Sequence, residues 1–98
     1  MTWKKFETTG EVGSENGVIL IDEEYDDACR ITLEKCSEYY AVTCGIYGAM
    51  VHTAFFSENE HHAKYEAMKQ DLQEFVDHAA AMSEDEQIDF YADFCNKY

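Results

Sequence analysis

Cys44 and His52 fall within one short stretch, VTCGIYGAMVH, residues 42–52. A thiol beside an imidazole is a nucleophile beside its base: the ring takes the proton and the thiolate attacks. The pairing works only when sulfur and ring nitrogen come within ~3 Å, with a third group orienting the ring. No such third residue is apparent near the pair. Whether the two side chains meet at all depends on strand register.

Two further clusters hold chemistry-bearing residues. IDEEYDD, residues 21–27, concentrates carboxylates as calcium loops do. It lacks the glycine and distal glutamate of an EF-hand, so a solvated acidic turn is expected, with Glu23 opposite Arg30 as a cross-strand ion pair. ENEHHAKYE, residues 58–66, sets His62 and Glu66 one helical turn apart, where they are weak candidates to share a metal ion beside Glu58 and His61. No second ligand pair completes that set and the HExxH order is absent. GxGxxG, Walker and GxSxG motifs are also absent, so neither a metal nor a cofactor is expected.

The 21 acidic residues against 7 basic ones give a net charge of −14. A field of that sign repels phosphate backbones and anionic lipid, which argues against nucleic-acid and membrane binding and favours a basic protein partner. Cys29, Cys36, Cys44 and Cys95 show no CxxC and no zinc-finger spacing, as in a cytoplasmic protein with reduced thiols. No apolar run follows the N-terminal lysines as a secretory signal would require.

The elements follow from hydrophobic period. The 98 residues suit one domain, 1–98. Residues 3–8 suit a first strand, and GEVGSENG, residues 10–17, a loop. VILIDE starts with a β-branched apolar run, which favours a strand over 18–23. ACRITLEKC alternates, and YYAVTCGI and AMVHTAFF follow after short turns, so an antiparallel meander of four strands is expected, five with the N-terminal one. At Ser57 the period changes to helical. Ser57 and Glu60 fit a capping box for a helix over 58–81, striped by Tyr65, Met68, Leu72, Phe75, Val76 and Ala79. SEDE at 83–86 repeats the box before a second helix. Strands followed by helices give an α+β domain with both helices packed on one sheet face.

Register decides the faces. Two-residue turns at Cys36-Ser37 and Tyr47-Gly48 pair Leu33 with Tyr40, Ile31 with Val42, and Cys29 with Cys44, which in turn faces Val51. One face then collects Cys29, Ile31, Leu33, Tyr40, Val42, Cys44, Ile46, Val51 and Phe55 as core. The other collects Arg30, Thr32, Glu34, Tyr39, Thr43, Met50, His52 and Phe56, which keeps Cys44 and His52 apart. A three-residue loop, Ile46-Tyr47-Gly48, suits the turn better, because Tyr47 is poor at positive φ. It would bring His52, Met50 and Phe56 to the Cys44 side, opposite Val42 for His52. The first register is favoured because it separates apolar from polar residues more cleanly.

On that register Arg30, Tyr39, Thr43, Met50, His52 and Phe56 form an open face for a partner or ligand. The expected function is a non-enzymatic protein–protein interaction or inhibitor module with a basic partner, self-associating as a homodimer. A DNA-mimicking inhibitor is its sharpest form. The alternative is a small-ligand or metal-binding domain that uses the open face around Arg30, Tyr39, Thr43 and His52.

Overall fold

The computed structural model describes residues 2–98. Five strands form one antiparallel meander in sequence order: β1 Trp3–Lys5, β2 Val18–Tyr25, β3 Cys29–Lys35, β4 Tyr40–Ile46 and β5 Met50–Phe56. Helix α1, His61–His78, runs into a single 3-10 turn, Ala79–Ala81, and α2, Glu84–Lys97, follows. The α+β architecture is the expected one, with five strands. No helix is long and apolar enough to cross a membrane.

The turns set the register. Asp26 and Asp27 both take positive φ, 55° and 51°, which their short polar side chains tolerate better than most. The β4–β5 hairpin turns through Tyr47, Gly48 and Ala49. Gly48 alone carries the left-handed conformation, at φ 75°, and the Ala49 N–H donates to the Ile46 carbonyl at 3.0 Å. Ile46 therefore pairs with Met50, Cys44 with His52, Val42 with Ala54 and Tyr40 with Phe56.

This corrects the favoured register. The physical reason is the one that spoke for a three-residue loop: Tyr47 cannot cheaply take the positive φ of a two-residue turn, so the loop lengthens around glycine. The loop lies one residue further on than the alternative had it, so His52 faces Cys44 rather than Val42. At the β3–β4 connection Cys36 donates its backbone N–H to the Tyr39 carbonyl at 2.9 Å, closing a longer turn than Cys36-Ser37. Leu33 pairs with Val42, Ile31 with Cys44 and Cys29 with Ile46, so Cys29 and Cys44 are not directly opposed. That shift is even, so no side chain there changes face.

The core lies between the sheet and the helices. Tyr25, Cys29, Ile31, Leu33, Val42, Cys44, Ile46, Met50 and Ala54 pack against Tyr65, Met68, Leu72 and Phe75 of α1 and Phe94 of α2. Val51 and Phe55, expected in this core, are 80% and 56% exposed on the far side.

The two capping boxes part company. Ser83 accepts from the Glu86 N–H while the Glu86 side chain accepts from the Ser83 N–H, so α2 starts as expected. Ser57 offers only its carbonyl, to the N–H groups of Glu60 and His61, and α1 starts at His61 without a side-chain cap.

The second sheet face is half covered by the N-terminal segment. Gly10 donates to the Ile19 carbonyl and Ile19 to that of Glu11, tying this segment to β2. Glu34 on β3 is completely buried. Its carboxylate accepts from the backbone N–H groups of Glu15 and Gly17 at 3.1 and 3.2 Å. A Cβ at Gly13 would overlap that carboxyl group, so the close approach requires glycine.

Candidate functional site

A cleft of about 790 Å³ opens where this covering ends. Thr8, Val12 and Gly13 of the N-terminal segment form one wall, and residues 43–51 of the β4–β5 hairpin form the other. Its polar floor is a network. Asp22 of β2, almost fully buried, receives the Arg30 guanidinium through Nε at 2.8 Å and Nη2 at 2.6 Å. It also accepts from Thr8 at 2.8 Å and Thr32 at 3.0 Å. Burial pushes the Asp22 carboxyl up, but the Arg30, Thr8 and Thr32 bonds outweigh it and hold it below its ordinary value. The Arg30 guanidinium carbon also lies over the Phe6 ring, 4.3 Å from its centroid. Tyr47 donates to Glu24 at 2.6 Å; burial and that bond push its hydroxyl up to about 12.

The expected open face is thereby divided. Arg30, Tyr39 and Thr43 belong to this second face, with Tyr39 stacked edge-on against Phe55 at 5.4 Å. Met50, His52 and Phe56 do not. Met50 is buried in the core, Phe56 packs against it, and His52 meets Phe94 of α2 edge-on at 6.0 Å. The cause is the one-residue register change, which turns each β5 side chain to the opposite face.

Register thus brings Cys44 and His52 together, but not as an active pair. The His52 Nε2 is buried with no hydrogen-bond partner. Burial, with small contributions from Cys95 and Cys29, pushes the Cys44 thiol up to about 12. Burial likewise raises Cys29 to about 11. Thiols held there are protonated at neutral pH and do not attack.

The acidic cluster of β2 is not one solvated turn. Asp22 faces the cleft, while Glu23, 5% exposed, faces α1. Glu23 accepts from Tyr65 at 2.8 Å and from Lys69 at 3.0 and 2.9 Å. The expected Glu23–Arg30 pair does not form, because Glu23 sits opposite Ile31 and on the other face from Arg30. Only Asp26 and Asp27 lie exposed in the turn. His62 and Glu66 are exposed on α1, and His61 stacks on Tyr40 at 3.7 Å. Among the described residues no three His, Cys, Asp or Glu side chains are placed to hold a metal ion.

Charge is distributed unevenly. Glu66, Glu74 and Asp77 on α1 and Glu84, Asp85, Glu86, Asp89 and Asp93 on α2 are exposed. In the same layer Lys69 is paired with Glu23 and Lys97 with Asp71, while Lys64 makes no ion pair among the described residues. Residues 39–56, the β4–β5 hairpin and its lead-in, hold no Asp, Glu, Lys or Arg. Sequence reasoning missed the Asp22–Arg30–Thr8 network, because nothing local signals that the N-terminal segment folds back over β2 and β3. No protein-family model, curated protein or solved structure matches the chain.

Proposed function

We propose that this protein is a non-enzymatic interaction module of the cytoplasm that binds a basic protein partner through its helical layer and associates with itself. The observation behind it is the exposed carboxylate layer of α1 and α2, in which Lys69 and Lys97 are tied to Glu23 and Asp71 and Lys64 is the one lysine of the two helices outside an ion pair among the described residues. Such a layer steers basic partners and shares the sign of a phosphate array, as a DNA-mimicking inhibitor would. The free thiols fit a reducing compartment. Affinity capture from lysate at low and high salt tests it, with a Glu66→Gln/Glu74→Gln/Asp89→Asn/Asp93→Asn variant alongside. Basic proteins should be retained at low salt, released at high salt and lost from the variant. An identical set on the variant, or none at low salt, overturns the reading.

A second reading rests on the cleft. Arg30, Thr32 and Thr43 beside apolar Val12 and Val51 resemble the lining of a small-molecule pocket. A thermal-shift screen of small polar ligands and divalent cations tests this. Stabilisation by a ligand that fails with Thr43→Val would support it, and a flat melting temperature throughout would dismiss it.

A further inference from the structure

The two edges of the sheet are built differently. β1 is three residues long and carries Lys4 and Lys5, the length and charge that keep an edge from pairing with another chain. β5 is seven residues long, pairs with β4 without a bulge, and has no lysine, proline or carboxylate. Among the described residues nothing pairs with its outer side.

The hydrogen-bond alternation shows which groups are left over. Tyr47 donates to the Ala28 carbonyl and Cys36 to that of Tyr39, so the odd-numbered residues of β4 bond toward β3. Its even-numbered residues therefore bond toward β5, through Met50, His52, Ala54 and Phe56. The N–H and C=O groups of Val51, Thr53 and Phe55 point outward. Their side chains stand on the second face above Gly45, Thr43 and Ala41. Those small neighbours leave Val51 and Phe55 proud of the sheet.

We infer that β5 pairs antiparallel with β5 of a second copy, about a twofold axis at Thr53. This rests on the self-association proposed above and names its interface. Thr53 then meets Thr53, and each Val51 meets Phe55 of the other copy. Every pair exchanges two backbone hydrogen bonds, and the Val–Phe match is a favourable cross-strand pair. The strand is its own complement, as a twofold interface requires. Charge also selects the occupant. A basic partner finds no carboxylate on residues 39–56, whereas a second copy brings an equally uncharged strand. Because each copy carries −14, the long-range term opposes association and salt screens it. Dimerisation should therefore strengthen with salt, the reverse of basic-partner binding.

Sedimentation equilibrium from micromolar to millimolar protein, at low and high salt, tests the inference. Val51→Lys, Thr53→Pro and a Val12→Lys control are measured beside the wild type. The expected result is a dimer that tightens with salt, that Val51→Lys and Thr53→Pro weaken by about tenfold or more, and that Val12→Lys leaves intact. Val51 is exposed, so Val51→Lys keeps the fold and decides the matter if Thr53→Pro does not. A wild-type monomer throughout overturns both the interface and the self-association. A dimer that the edge variants leave unchanged overturns the interface alone. Neither result touches the basic-partner test.

Discussion

Cys44 and His52 sit directly opposite each other on the helix-covered face of the β4–β5 ladder. The pair has the residue types of a catalytic dyad but is structural in its chemistry, because burial holds the thiol protonated. Native protein treated with iodoacetamide at neutral pH should be modified at partly buried Cys36 and Cys95 first. Cys29 and Cys44 should react only after denaturation. Mass spectrometry of tryptic peptides reads the order, and early labelling of Cys44 would refute the assignment.

The order of elements was readable because period and turn chemistry are local. Alternation over Cys29–Lys35, the apolar stripe of α1 and the Ser83 box each need only a few neighbouring residues. The faces of β5 were not, because they hinge on whether one or two residues flank Gly48. Tyr47 gave the right hint through its poor fit to positive φ. The cleaner segregation of apolar side chains pointed the other way and lost. Segregation misled because the second face holds an apolar strip of its own, Tyr39, Val51 and Phe55. The Asp22 network was beyond local reasoning, since Thr8 and Asp22 meet only once the N-terminal segment has folded back.

Acid should weaken the fold through Asp22. Its folded-state carboxyl is held below the ordinary value of 3.8, so its contribution is complete above that pH and is lost as pH falls through the lowered value. Asp22→Asn should cost about 1 kcal/mol at neutral pH, a small figure because the guanidinium of Arg30 is partly screened by solvent. Its urea midpoint should also change less than wild type below pH ~4. Parallel acid profiles for the two proteins would contradict the assignment.

Glu23 joins β2 to α1 through Tyr65 and Lys69. Glu23→Ala strands a largely buried ammonium and should cost roughly 3 kcal/mol in chemical denaturation. Adding Lys69→Met removes the stranded charge, so the double variant should recover part of that loss. A double variant no better than the single one would mean that Tyr65, not the ion pair, carries the effect.

Ser57 and Ser83 start the same sequence pattern and have different roles, which makes a matched pair of variants informative. Ser83 caps α2 with its side chain, and the reciprocal backbone bond lowers the Glu86 carboxyl below its usual range. Ser57 contributes its carbonyl, which alanine keeps. Ser83→Ala should therefore cost about 1 kcal/mol, while Ser57→Ala should fall within a few tenths of wild type. Thermal unfolding followed by circular dichroism resolves a difference of that size. The lowered Glu86 value adds a pH signature, because its contribution is present above the ordinary glutamate range and disappears as pH falls through the depressed value. The gap between wild type and Ser83→Ala should narrow in acid, whereas the Ser57→Ala curve should track wild type at every pH. Equal losses for the two variants would show that Ser57 caps α1 in solution.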